Sequence, residues 1–151
     1  MDIKLEKRSA FTVVGMKYHG QGPSPKIPEL WGKFLPRVAE IGNRTNENLC
    51  YGAEANYDAA SNEFDYLACV EVEQANNLPA GMESWQIPAN TYAIFPTTLP
   101  DINDTFASID TKLADSGLER VSAPEFELYD ETFDNQDPTS LLYIYVPVKE
   151  N

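Results

Sequence analysis

The sequence predicts an α+β fold made of two copies of a strand–helix–strand–strand unit, and three observations predict it. Alternating apolar and polar residues mark strands at both ends of the 151-residue chain. Each half also contains one segment with apolar residues at helical spacing. The same order of elements occurs in residues 1–75 and 76–151, which predicts pseudo-twofold geometry. Because 42% of the residues are hydrophobic, we expect residues 1–151 to form one domain around a sizeable core.

The first half is predicted to contain one helix between four strand segments. The helix covers residues 27–41, where Pro28 suits the first turn and Gly42 suits the end. Pro36 interrupts this pattern, so we expect it to kink or split the helix. The strands are predicted at 3–8, 11–18, 48–57 and 63–72.

The second half repeats this order. Its helix is predicted over residues 102–116, with Asp101 as the N-cap and Gly117 closing the last turn. The strands are predicted at 86–98, 125–133 and 141–148. The two units should form a curved antiparallel sheet with a concave groove and both helices on the convex face.

Strand alternation assigns side chains to the two faces of this sheet. The side beneath the helices is predicted to hold Leu67, Cys69, Phe126, Leu128, Leu142, Ile144, Val146 and Val148. The opposite face is predicted to hold Tyr51, Tyr66, Glu127, Tyr129, Tyr143 and Tyr145. A solvent-exposed sheet face usually carries Lys, Thr and Ser instead. The tyrosine-rich face is therefore expected to bind a ligand, although aromatic packing against loops would explain the same pattern.

A groove that combines aromatic rings with a carboxylate suits a flat organic cation. Each ring face contributes a cation–π attraction of about 0.5–2 kcal/mol, and stacking buries apolar surface. A carboxylate among rings is costly to desolvate, and a cationic ligand relieves that cost. Such a site would select strongly for positive charge and weakly for shape.

The charge of the chain limits its partners. It has 11 basic and 24 acidic residues, for a net charge of −13. Because nucleic-acid-binding proteins neutralise phosphates with Lys and Arg, this balance excludes direct nucleic-acid binding. Residues 76–151 carry 13 acidic and 3 basic side chains, which favours either a solvated surface or a field that attracts cations.

Cysteine, histidine and glycine usage predicts no metal and no cofactor. Cys50 and Cys69 lie in apolar strand segments without metal-ligand spacing, so we expect reduced core thiols. The single histidine, His19, excludes multi-histidine metal sites, and no Gly-rich phosphate loop is present. The sequence has no apolar run long enough to span a membrane and no signal-peptide pattern, so we expect a cytoplasmic protein.

Seven ordered segments resemble the GyrI-like small-molecule-binding family, the effector-binding domain of AraC-type and MerR-type multidrug regulators. They are FTVVGMKYHG, IPELWGKF, YGAEANY, FDYLACVEV, GMESWQIPANTYAIF, PEFELYDETF and LLYIYVPV. The resemblance covers residues 3–148, and IPANTYAIF, FELYD and YVPV are its most specific parts. It implies the duplicated fold described above, with a concave groove. For that groove we predict the binding of hydrophobic cationic molecules without catalysis.

The resemblance also implies which residues bind the ligand. The central acidic residue of the family corresponds to Glu127 in FELYD. The flanking aromatic residues correspond to Tyr51, Tyr66 and Tyr143, with Tyr129 and Tyr145 adjacent and Trp85 as a possible wall. Most regulators of this kind carry a helix-turn-helix domain upstream, for which this chain has no room.

Other members of the family differ in what they do, and the fold does not choose among them. One alternative is a hydrolase that uses Glu127 as general base with a groove tyrosine. Another is an acidic protein that inhibits DNA gyrase by binding it. A third is a stand-alone effector module that associates with a separate regulator.

Overall fold

The structure, a computed structural model, describes residues 3–150. Within these residues, nine strands pair in antiparallel fashion, and two α-helices and one 3₁₀ helix cover part of the sheet. The elements in chain order are β1 (Lys4–Arg8), β2 (Phe11–Gln21), α1 (Lys26–Phe34), the 3₁₀ helix (Leu35–Glu40), β3 (Cys50–Asp58), β4 (Glu63–Val72), β5 (Glu83–Ile87), β6 (Asn90–Thr97), α2 (Ile102–Asp115), β7 (Leu118–Arg120), β8 (Glu125–Tyr129) and β9 (Leu142–Glu150). The predicted α+β class is confirmed.

Both helices form where the apolar periodicity predicts them. Pro36 splits the first one, since α1 ends at Phe34 and a 3₁₀ helix follows. Gly117 follows α2 with a φ of 71°, a left-handed conformation that glycine adopts easily. Asp101 occupies the predicted N-cap position, but its side chain makes no capping hydrogen bond.

Two predicted strands differ in the structure. The segment 86–98 is not one strand, because Pro88 lacks an N–H group and separates β5 from β6. The segment 125–133 ends as a strand at Tyr129, and a turn follows in which the Phe133 N–H donates to the Asp130 carbonyl at 3.0 Å. The short strand β7, which pairs with β9, carried no recognisable sequence signal.

The strand order is symmetric about its centre. It runs β1-β6-β9-β8-β3-β4-β2-β5, with β7 added beside β9. The central strands β3 and β8 each come after the helix of their half, and β2 and β6, which directly precede the helices, lie further out on each side. The predicted duplication therefore corresponds to two equivalent halves of one sheet.

Two short links force this sheet to curl. Strands β1 and β2 occupy the first and seventh places in the order, yet only residues 9–10 separate them in the chain. Three chain steps span at most about 11 Å, whereas six strand spacings in a flat sheet span about 29 Å. Strands β5 and β6 are joined in the same way by residues 88–89. The opposite ends of the sheet must therefore approach each other, which creates a concave inner face and a convex outer face.

Strand register divides the side chains between these faces, because directly paired residues share a face. One row consists of Leu67, Ala53, Phe126, Tyr145 and Ile94. These residues belong to a single buried cluster that also includes Phe11, Val13 and Ile87 from the far strands. They therefore fill the inner face. The neighbouring row, which faces outward, consists of Ala68, Gly52, Glu127, Ile144 and Phe95.

Both helices pack on the outer face, one on each half. Leu30 and Phe34 of α1 pack in a cluster with Ala68, and Ile109 of α2 packs in a cluster with Ile144. The predicted positions of Ile144, Val146 and Val148 beneath a helix are confirmed. The same prediction is wrong for Leu67, Cys69, Phe126 and Leu128, which pack on the inner face. Both faces of the central strands are covered, so apolar alternation alone could not tell which row meets the helices.

The inner face contains an aromatic cage that holds a cation of the protein itself. The Arg8 guanidinium carbon lies 4.3 Å from the ring centre of Phe11 and 5.3 to 5.9 Å from those of Phe126, Tyr51 and Tyr145. Arg8 also donates to the Tyr51 hydroxyl at 3.3 Å and lies 3.4 Å from the Glu71 carboxylate. Burial raises the pKa of Tyr51 to about 12, so its protonated hydroxyl can donate to Glu71, 3.1 Å away. This cage connects the edge strand β1 to the centre of the sheet.

Replacing Arg8 with alanine should destabilise the fold by about 1–3 kcal/mol, because it removes cation–π contacts and a charged hydrogen bond. Urea unfolding measures the change. The matched control is Arg37→Ala, since Arg37 pairs with Glu40 at an exposed site without aromatic contacts. An equal loss of stability in both variants would show that the cage adds nothing beyond an ordinary ion pair.

Candidate functional site

A groove of about 1800 Å³ lies on the outer face, and we call it the outer groove. One wall comes from α1 with Ile27 and Trp31, and the opposite wall comes from α2 with Ile102 and Phe106. The groove is lined further by β3, β4 and β8 and by the segments around them, with Cys50, Glu54, Phe64, Tyr66, Glu125, Glu127, Tyr129 and Phe133. The two halves of the fold therefore contribute equivalent walls to one site.

Glu127 lies in the outer groove with only 5% of its surface exposed. Its Oε1 atom accepts hydrogen bonds from the Tyr66 hydroxyl at 2.9 Å and from the Tyr129 hydroxyl at 2.8 Å. The Trp31 indole donates to the Tyr66 oxygen at 2.9 Å. Because an indole N–H can only donate, the direction of this chain is fixed and ends on Glu127 as acceptor. The arrangement stabilises a negative charge in a buried place.

Gly52 makes the hydrogen-bonded cluster possible. It pairs directly with Glu127 in the sheet. A Cβ atom at this position would overlap the Tyr66 hydroxyl and would lie 2.8 Å from Glu127 Oε1. The space above Gly52 is therefore where the phenol and the carboxylate meet.

Two further glutamates share this face with Glu127. Glu54 pairs directly with Tyr66 on one side and with Glu125 on the other. Burial raises the pKa of Glu54 well above its usual range, and the neighbouring Glu127 and Glu125 raise it further, although part of the residue remains exposed to the groove. Burial also raises the pKa of Glu125, against the opposing effect of Arg120.

The basic residue that lines the groove is already paired. The guanidinium of Arg120 lies 2.7 Å from the Asp110 carboxylate on α2 and 2.9 Å from the Glu125 carboxylate on β8. Its charge therefore offsets two acidic groups of the same site. Because other carboxylates outnumber it, the outer groove keeps a negative potential.

The structure brings together three of the seven residues predicted to bind the ligand, namely Tyr66, Glu127 and Tyr129. The other four lie elsewhere: Tyr51, Tyr143, Tyr145 and Trp85 all pack in or against the inner cluster. The prediction that Tyr51, Tyr143 and Tyr145 share a face with Glu127 is therefore wrong. The predicted placement of the ligand on the face away from the helices is also wrong, because residues of α1 and α2 line the outer groove. The sequence analysis placed Glu127 on the same face as Tyr143 of β9. The register between β8 and β9 instead places Glu127 opposite Ile144, and Leu128 opposite Tyr143.

Sequence reasoning missed three residues of the cluster. Trp31 was assigned only to the apolar face of a helix, and nothing in its spacing indicates that its indole reaches Tyr66. Gly52 and Glu54 had a usable signal, because they are two residues apart on one strand and thus share a face. The pairing of Gly52 with Glu127 and of Glu54 with Glu125 depends on the register between β3 and β8, which the spacing does not give.

Comparison with known proteins places the chain in a family. The family model of Cass2, the integron-associated effector binding protein, matches residues 4–148. The chain belongs to this family. The resemblance to GyrI-like effector-binding domains is thereby confirmed, and the chain is related to the effector-binding parts of transcription regulators.

A curated relative is the transcriptional regulator BrlR of Pseudomonas aeruginosa, 38% identical over 98% of this chain. The chain spans 56% of the length of that regulator. Among solved structures, an integron cassette protein of Vibrio cholerae is similar with a TM-score of 0.71 and 19% identity, over 97% of this chain and 95% of that one. The protein SAV2435, solved bound to tetraphenylphosphonium, is similar with a TM-score of 0.67 and 18% identity, over 99% of this chain and 94% of that one.

Neither α1 nor α2, nor any other helix in residues 3–150, has the length and apolar character needed to cross a bilayer.

Replacing Gly52 with alanine should break the Tyr66–Glu127 hydrogen bond and destabilise the fold by roughly 1–3 kcal/mol, as overpacking does. Gly32 on α1 provides the matched control, because no atom lies within 4 Å of a Cβ built there. Gly32→Ala should stabilise the protein by about 0.5–1 kcal/mol through helix propensity. Thermal unfolding of the two variants measures both changes, and a neutral effect of Gly52→Ala would contradict the tight packing inferred here.

Proposed function

We propose that the outer groove reversibly binds hydrophobic cationic small molecules and that Glu127 supplies the countercharge. The observation that carries the proposal is the Glu127 carboxylate itself, which is 5% exposed and accepts two phenol hydrogen bonds within a groove open to solvent. A buried charge of this kind has a high desolvation cost that a cation lowers. An anion or a neutral molecule has no such effect.

The charges around the outer groove support the same ligand class. Besides Glu127, the acidic residues that line it are Glu47, Glu54, Asp110, Glu125, Asp130 and Asp134. Within the described part of the chain, Arg120 is the basic residue of this lining, and it is paired with two of these carboxylates. The resulting potential attracts cations and repels anions.

The aromatic and aliphatic surface of the outer groove supports a hydrophobic ligand. Tyr129 packs edge-on against Trp31 with ring centres 5.5 Å apart and against Phe133 at 4.8 Å. At the groove mouth, Leu35 and Leu99 are 45% and 43% exposed. Rings provide cation–π attraction, and the exposed leucines provide apolar area that a ligand would bury. Tetraphenylphosphonium, the ligand of the structurally similar SAV2435, combines both properties.

The hydrogen bonds of Glu127 support its role as a fixed countercharge. Oε1 accepts hydrogen bonds from two phenols, which hold the carboxylate in one position in the outer groove. We propose that the groove binds its ligand without catalysis.

The wider role that we propose is that of an effector module in transcription regulation. The match to BrlR covers about half of that regulator, so ligand binding to this chain would be read out by a separate DNA-binding part. Cys50 and Cys69 are free thiols, which suits a reducing compartment such as the cytoplasm.

The first test of this proposal compares two molecules of the same shape and opposite charge. Tetraphenylphosphonium should bind with micromolar affinity, and tetraphenylborate should not bind measurably, because the negative groove repels it. Fluorescence quenching of Trp31 and Tyr129 or calorimetry measures both. Equal affinities would leave only an apolar groove and would remove the charge-selective part of the proposal.

The second test separates Glu127 from the general acidity of the chain. Glu127→Gln keeps the volume and the oxygen that accepts the phenol protons, but it removes the charge. It should weaken tetraphenylphosphonium binding by about 1–3 kcal/mol, as expected for a lost charged contact. The control is Asp137→Asn, at an exposed position outside the groove lining, where screening makes the effect small. Similar losses in both variants would exclude Glu127 as the countercharge.

A further inference from the structure

We infer that Trp31 is a positioning residue that gives the outer groove its preference for cations, because its indole holds the phenols that fix Glu127 and adds no positive charge of its own. The inference rests on the proposed function and deepens it. It names a residue that determines the charge selectivity of the site without being the countercharge. Trp31 lies on α1, in the wall of the outer groove.

Trp31 contacts both phenols that donate to Glu127. Its Nε1 atom lies 2.9 Å from the Tyr66 hydroxyl oxygen, and its ring packs edge-on against Tyr129 with ring centres 5.5 Å apart. The two hydroxyls donate to Oε1 of Glu127 at 2.9 and 2.8 Å. Both phenols stay protonated, because burial raises the pKa of each well above its usual range. Trp31 is therefore the common support of the two donors.

The indole N–H acts on Glu127 through the Tyr66 hydroxyl. A hydroxyl oxygen that accepts one hydrogen bond becomes a stronger donor in the next one, since linked hydrogen bonds polarise each other. Tyr66 is only 2% exposed, so water has little room to replace the indole as its donor. Loss of the N–H should therefore weaken the hold on the carboxylate, and the carboxylate should become less ordered.

The second helix of the fold reaches the sheet at an equivalent position. Each helix buries two apolar residues that are four positions apart, Leu30 and Phe34 on α1 and Ile109 and Leu113 on α2. Trp31 and Asp110 each follow the first residue of such a pair and are thus equivalent. Asp110 lies 2.7 Å from Arg120, whose guanidinium lies 2.9 Å from Glu125. Each helix therefore connects to one glutamate of β8 through one intermediate side chain.

The two connections differ in charge, and this difference decides which glutamate is available to a ligand. Glu125 and Glu127 are two residues apart on β8 and share a face. Arg120 offsets the charge of Glu125. Within residues 3–150, none of the ion pairs involves Glu127. Its donors are neutral phenols, so the connection from Trp31 fixes the carboxylate and leaves its charge uncancelled.

A fixed, uncancelled carboxylate favours cations specifically. A cationic ligand gains from a charge that is already in place, because less ordering is required when it binds. A neutral ligand gains only from the apolar walls. Loss of the indole N–H should therefore reduce the preference for cations, whereas loss of wall area should weaken both ligand types alike.

Two probes of similar shape measure this preference. Methyltriphenylphosphonium and triphenylphosphine oxide both carry three phenyl groups on phosphorus, but only the first has a net positive charge. Equilibrium dialysis gives the dissociation constant of each, and the ratio of the two constants is the charge selectivity. Trp31→Phe keeps an aromatic ring in the wall and removes the N–H. We expect it to lower the selectivity about three- to tenfold, the effect of one buried hydrogen bond.

The matched control is Ile27→Ala, one helical turn earlier in the same wall. This change removes apolar area only. It should weaken the binding of both probes by similar factors and leave the selectivity unchanged. A loss of selectivity equal to that of Trp31→Phe would show that any damage to the wall has this effect, and it would overturn the role assigned to Trp31.

A double-mutant cycle tests whether Trp31 acts through Tyr66. Tyr66→Phe removes the hydroxyl that connects the indole to Glu127, and it should lower the selectivity by itself. Adding Trp31→Phe should then lower it little further, because residues that act through one another have non-additive effects. Additive losses would overturn the inference, since Trp31 would then act independently of this hydroxyl.

The outcomes separate this inference from the proposed function. If the wild-type protein does not prefer the phosphonium, the proposed function fails. If the wild type prefers it and Trp31→Phe keeps the full preference, the inference is wrong and the binding function stands. Should circular dichroism show that Trp31→Phe does not fold, Tyr66→Phe decides alone, because unchanged selectivity in that variant would leave the indole nothing to act through.

Discussion

The two short links between β1 and β2 and between β5 and β6 are the constraint on which the rest of the structure depends. Each link joins strands that lie near opposite ends of the strand order across a gap of two residues. No flat sheet satisfies both links, so the sheet curls and acquires an enclosed inner face and an accessible outer face. The separation between the packed core and the outer groove follows from this curvature.

The two faces use similar chemistry for different purposes. On the inner face, Arg8 fills an aromatic cage and pairs with Glu71, so the cation is part of the fold. On the outer face, the Tyr66 and Tyr129 phenols donate to Glu127 at the base of a groove that remains open. Tyr51 and Tyr145 on the inner face therefore pack around a cation of the fold, whereas Tyr66 and Tyr129 on the outer face hold a carboxylate.

The cluster around Glu127 shows how a small domain tolerates a buried charge. Phenol donors replace the water that the carboxylate loses, and Gly52 leaves the room that they need. The proposed countercharge is therefore held in place by the fold before any ligand binds.

The sequence by itself determined the α+β class, the repeated order of elements and the split of the first helix at Pro36, because periodicity and backbone chemistry are local. Only the tertiary structure decided which residues surround Glu127. The register between β8 and β9 places it beside Ile144 instead of Tyr143, and the docking of α1 brings Trp31 to Tyr66. Alternation shows which residues of one strand share a face. Whether that face is the inner or the outer one depends on strand pairing and sheet curvature, which distant segments of the chain determine.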